Sequence, residues 1–107
     1  NQRIRVSSKN NINECLFVTG GNIENDYNFS YRKSGCAALD LAYVASGRYD
    51  GYFQKNLNLW DIAAGIILVK EAGGIINEID LNKKENLKII ASSANIGSKL
   101  REKLSNF

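Results

Sequence analysis

The stretch Trp60-Asp61-Ile62-Ala63-Ala64-Gly65-Ile66-Ile67-Leu68-Val69-Lys70-Glu71-Ala72-Gly73-Gly74 constrains this chain more than any other. It reads as a helix that follows a short strand and loop and is closed by a glycine pair. Ile62, Ala63, Ala64, Ile66, Ile67, Leu68, Val69 and Ala72 leave almost no face polar. A helix of that kind is expected inside a protein, not on its surface. Asp61 is the exception. It falls in the first turn, where backbone N–H groups lack intrahelical partners and the helix dipole is positive. That end can hold an anion, or a metal together with a phosphate. Capping or dipole compensation is the plainer role for a first-turn acid, and spacing alone does not separate the two.

Around this helix the chain alternates strand-like and helix-like segments. Arg3–Ser7 and Glu14–Thr19 read as strands, with Gly20-Gly21-Asn22 ending the second. Ile23–Ser30 is polar and irregular, and Tyr31-Arg32-Lys33 can add a short strand. Ser34-Gly35 opens an Ala- and Leu-rich helix that runs to Ser46 with Gly47 as its C-cap. Asp50-Gly51 is a turn into the short strand Tyr52-Phe53. Asn58 is the expected N-cap of the apolar helix. Ile75–Ile79 and Leu87–Ala91 read as strands. A last helix carries Ile96, Leu100, Leu104 and Phe107 on one stripe, with charges opposite. The pattern predicts an α/β layered domain, with a mixed or mostly parallel sheet of about five strands flanked by helices on both sides.

Composition removes several classes of chemistry. There is no histidine, so His-ligated metals and Ser–His or Cys–His nucleophile pairs are excluded within these 107 residues. Two cysteines, Cys15 and Cys36, are too few for a disulfide framework and suit a reducing, cytoplasmic setting. No apolar run reaches the length of a bilayer span, so no membrane partner is expected. The net charge of +3 is spread along the chain, with a modest concentration from Lys83 to Lys103 that a solvated helix face explains. Of the other acids, Asp50 reads as a turn former. Asp40 and Glu71 are expected to need hydrogen-bond or ionic partners, because unpaired buried charge is costly.

Ser34-Gly35-Cys36-Ala37 is the second informative spot. Glycine permits close approach to the backbone, and the amides of Cys36 and Ala37 belong to a helix start. A simple helix N-terminus and a ligand cradle remain equal readings of that pattern.

The strings WDIAAGIILVKEAGG (60–74) and SGCAALDLAYVASGRYDGYF (34–53) run in one unbroken register. The first resembles the C-terminal signature of the inositol monophosphatase family, and the second the stretch that precedes it, especially in bacterial members of the extragenic-suppressor type. The resemblance implies that residues 1–107 are a single domain, the C-terminal half of a longer magnesium-dependent phosphomonoesterase acting on a small polyol or sugar phosphate. It implies Asp61 as a ligand of Mg2+, with Gly35, Cys36, Ala37 and Gln54 against substrate. The family's remaining metal ligands and water-activating residues lie in N-terminal motifs of the GxxxE and DPxDGT kind. Neither string occurs here, so the N-terminal metal-binding half is expected to be absent, with no catalytic residue and little activity left in this chain.

Three departures mark the chain. Gln54 stands where many family members carry glutamate, the link between Gly21 and Tyr31 is short, and DLNKKEN replaces a Gly-rich turn. The resemblance also implies a homodimer. A non-catalytic module tied to transcription or RNA processing, or a decayed remnant, is the alternative reading.

Overall fold

The computed structural model describes residues 4–21 and 27–107. Among these, five strands form one mixed sheet in the order β2-β1-β3-β5-β4: β1 (Phe17–Thr19), β2 (Tyr31–Lys33), β3 (Gly51–Leu57), β4 (Ile75–Ile76) and β5 (Leu87–Ser92). β1 runs parallel to both β2 and β3, whereas β5 runs antiparallel to β3 and to β4. The expected architecture is therefore the observed one, with the sheet mixed.

Alternation along the strands sends side chains to two cores. Val18, Tyr52, Ile89 and Ala91 pack against α1 (Ala37–Ala45) and α2 (Leu59–Glu71). Phe17, Phe53 and Ile90 face the opposite layer, built from Ile12, Ile96, Leu100 and Leu104 with α3 (Gly97–Lys103). Tyr27, Phe29 and Tyr31 pack edge-on around Phe17 and Phe53 at ring separations of 4.9–6.2 Å, closing that layer. Each fully buried aliphatic side chain contributes about 1.5–3 kcal/mol relative to exposure. The stripe expected on the last helix is the one that docks.

Two helices end alike. Gly47 and Gly73 take φ of +81° and +89°, a region that glycine enters without a Cβ penalty. Arg48 N–H then donates to Tyr43 O at 2.9 Å, and Gly74 N–H to Val69 O at 2.9 Å. These bonds satisfy carbonyls that each helix would otherwise leave open.

Several expected boundaries shift. Residues 4–7 form no strand, although Val6 N–H donates to Ala72 O at 3.1 Å. Ile12–Glu14 is a 3₁₀ turn, which shortens the following strand to Phe17–Thr19. The Ile75 strand stops after two residues, because the Asn77 side chain takes over the pairing with Ile90 N–H and Lys88 O. β3 is longer than expected and carries Gln54 on the sheet itself. The irregular Ile23–Ser30 segment lies partly outside the described residues.

The larger correction concerns α2. Its predicted all-round burial does not hold in this chain. Ile62, Gly65, Ile66 and Val69 are buried, but Ala63 and Ala64 are exposed, with Trp60 at 71% and Ile67 at 63% exposure. Leu39 of neighbouring α1 is also 45% exposed. An apolar stripe thus runs down the outer face of α2, where sequence hydrophobicity exceeds what one sheet and one neighbouring helix can cover.

Candidate functional site

The three mutually parallel strands β2, β1 and β3 end side by side, and each leads into a segment of the candidate site. β1 leads to Gly20-Gly21. β2 leads through Ser34-Gly35-Cys36 into α1, and β3 leads through Asn58 into α2. Both helix N-termini therefore converge at the carboxyl edge of the parallel part of the sheet, the place where open α/β sheets commonly hold ligands. A cavity of about 440 Å³ opens there, lined by Gly35, Cys36, Ala37, Ala38, Gln54, Asn56, Leu57, Trp60 and Asp61. All five residues expected from the sequence line it.

α1 begins at Ala37, with Cys36 as its N-cap. The Cys36 amide is already engaged, donating to Ser34 Oγ at 3.4 Å, and the first intrahelical bond is Asp40 N–H to Cys36 O at 2.9 Å. The amides without an intrahelical acceptor are thus those of Ala37, Ala38 and Leu39. The expected cradle moves one residue along the chain. At α2, Asn58 occupies the N-cap position but its side chain makes no capping bond, and Lys84 O accepts from Leu59 N–H at 2.8 Å instead. Asp61 is exposed in that first turn, with its carboxylate free to face the cavity.

β3 distorts as it leaves the sheet. Gln54 pairs with Ile89 but Leu57 with Leu87, so β3 carries one residue more than its partner, and Asn56 takes φ +59°. Such a bulge bends the strand and re-aims its side chains. Gln54 shares a strand face with Tyr52, whose hydroxyl donates to Gln54 Oε1. Burial, followed by the nearby Asp40, Cys36 and Asp61, pushes the Tyr52 phenol far above its ordinary range, so it stays protonated as a donor. Gly20 backs this arrangement: a Cβ there would stand 2.8 Å from Gln54 Cδ and 2.9 Å from Ser34 O.

The remaining carboxylates behave differently from one another. Asp40 is buried and its Oδ2 finds no partner among the described residues. Burial raises its pKa above the ordinary value, an effect offset only in part by the Ser34 hydroxyl. Asp50 is more than a turn former. Its buried Oδ2 accepts from Leu16 N–H at 2.8 Å and pairs with Lys9 Nζ at 3.3 Å, fastening β3 to the segment before β1. Glu71 is exposed and solvated. Cys15 is buried and its thiol is pushed up to about 11 by burial and by Asp50.

As a magnesium site the arrangement is incomplete. Among the described residues no group of three or more His, Cys, Asp or Glu side chains comes together. Mg2+ takes near-octahedral oxygen coordination, commonly one or two carboxylates with waters and substrate phosphate. Asp61 fits one such position, and no other described residue lining the cavity adds a carboxylate.

The sequence profile of the Inositol monophosphatase family matches residues 1–106. This chain belongs to the inositol monophosphatase family. It is 37% identical to inositol-1-monophosphatase of Synechocystis sp. over 118 aligned positions, covering 94% of this chain and 41% of that protein. It is 40% identical to the putative Nus factor SuhB of Neisseria meningitidis over 93 positions, covering 73% of this chain and 36% of the relative. Among solved structures, inositol monophosphatase from Anabaena superposes with a TM-score of 0.81 at 33% identity, covering 96% of this chain and 48% of that one. Thermotoga maritima IMPase gives 0.81 at 34%, covering 98% and 46%. The chain spans less than half the length of these relatives. Among the described residues no helix is long and apolar enough to cross a membrane.

Ala38, Asn56, Leu57 and Trp60 are cavity residues that sequence reading missed. The glycine-to-helix transition at Ser34–Ala37 could have signalled Ala38, since free amides extend through the first turn. Asn56 had no such signal, because a bulge depends on pairing with β5.

Proposed function

We propose that this chain is the C-terminal half of a phosphomonoesterase acting on a small polyol or sugar phosphate, with Mg2+ as its cofactor. The observation that carries the reading is the shared cavity, in which exposed Asp61 and the amide-rich start of α1 face one another at the carboxyl ends of parallel strands. In this reading Asp61 supplies one metal ligand. The Gly35–Ala37 turn and the first amides of α1 orient the substrate, and Gln54 contacts its non-reacting part. Bound metal would supply charge neutralisation at the phosphate and an activated water. This chain's own groups bind and orient, and the missing ligands come from a polypeptide segment carrying the family's N-terminal motifs. Taken alone the chain is inactive. The two free cysteines suit a reducing cytoplasm, and the exposed apolar stripe suits a homodimer.

The test mixes the chain with a separately produced polypeptide bearing those motifs and measures phosphate release in magnesium. Activity is expected only in the mixture, and Asp61→Asn should lower it roughly 100-fold or more, as expected for loss of a metal-held charge at the reacting phosphate. A mixture that associates stably but releases no phosphate, or whose activity ignores Asp61→Asn, overturns the reading.

A second reading has its own support. Several relatives carry the name Nus factor SuhB, and the described residues do not complete a metal site. The chain would then act as a binding module associated with transcription or RNA processing, or persist as a folded remnant. A folded, inactive mixture favours that alternative.

A further inference from the structure

Gln54 is held in one orientation from two sides. Tyr52, two residues earlier on the same face of β3, donates its hydroxyl to Gln54 Oε1. Gly20 lies flat against the side chain, leaving no room for even a Cβ between Gln54 Cδ and Ser34 O. Tyr52 is fully buried and its phenol stays protonated, so it can act as a donor throughout the physiological pH range. With Oε1 occupied, the free end of the amide is Nε2. It lies on the side of exposed Gly21, 4.0 Å from the place a Cβ on that residue would take. Gln54 lines the cavity shared with Asp61 and the start of α1.

We infer that Gln54 makes this cavity selective for phosphate esters that carry a second acceptor-only group, a carboxylate or another phosphate, in place of a lone hydroxyl. The inference rests on the proposed substrate site and names the class of ligand within it. A carboxylate at position 54 would accept from ligand hydroxyls and repel a second anion. The tethered amide does the reverse, because the end turned away from Tyr52 is an N–H donor. Its bond to a charged acceptor is roughly twice as strong as one to a neutral hydroxyl. The difference, near 1.4 kcal/mol by typical hydrogen-bond values, corresponds to about tenfold in affinity.

The test uses the whole chain labelled with 15N, titrated in magnesium with glycerol phosphate and with phosphoglycerate. These probes differ by a hydroxymethyl against a carboxylate. Phosphoglycerate is expected to bind about tenfold more tightly and to shift the Gln54 side-chain amide resonance. In Gln54→Glu the preference should reverse. In Tyr52→Phe, which removes the hydroxyl that fixes Oε1, the ratio should fall toward one. Equal ratios in the native chain and Gln54→Glu overturn the inference and leave the site intact. If neither probe shifts the Ala37 and Ala38 amides, the site reading falls, and this inference falls with it.

Discussion

At the scale of single residues, the two buried acids divide the work. Among the described residues each has one oxygen without a partner, but Asp50 is tied through the other to Leu16 and Lys9, whereas Asp40 has no ion pair. The pKa of Asp40 is raised, so the folded state binds its proton more tightly than the unfolded state. Folding is therefore penalised above the raised pKa, and the penalty disappears as pH falls below the ordinary value of 3.8. Asp40→Asn should match or exceed the native chain in thermal stability at neutral pH, with the gap closing on acidification. A loss of stability at neutral pH that persists in acid would show that the charged form has a partner. The cysteines also separate. Cys36 is exposed at the cavity, while Cys15 is buried with its thiol near 11. Iodoacetamide at neutral pH should label Cys36 alone in the folded chain, and mass spectrometry of the peptides checks it.

At the scale of elements, α1 and α2 meet closely along their lengths. Gly65 faces Leu41, and a Cβ there would stand 2.7 Å from Leu41 Cβ, with Leu41 itself fully buried. Alanine would gain about 1 kcal/mol of helix propensity. Overpacking against an immobile neighbour costs about 1–3 kcal/mol, so Gly65→Ala should lose stability on balance. Denaturant unfolding measures this, and Leu41→Ala in the same chain should cost less than the sum of the two single changes. Additive losses would mean that the helices do not meet as described. Apolar runs bounded by glycines announced both helices and their stops, since helix and cap depend on neighbours along the chain. The bulge at Gln54–Leu57 was not announced, because it is a property of β3 and β5 together.

At the scale of the whole molecule, the exposed stripe of Trp60, Ala63, Ala64 and Ile67 on α2 is a surface that water disfavours. Surfaces of that kind drive association. Sedimentation of the purified chain should show a concentration-dependent dimer, and Ile67→Lys should shift it toward monomer without unfolding it. A monomer at high concentration in the native chain would count against self-association.

The amino-acid order alone determined the α/β class, the three helices, the Gly47 and Gly73 stops and the place of Asp61 in a first turn. All of these follow from local periodicity and backbone preference. It also placed Gly35, Cys36, Ala37 and Gln54 near the same chemistry through resemblance. Only the tertiary structure decided that they share one cavity, that Tyr52 fixes the amide of Gln54, and that one face of the greasy helix stays open. The reason is physical. Hydrophobic pattern states how much surface a helix wants covered, but which groups meet, and which surface is left bare, depends on strand pairing and packing between segments distant in sequence.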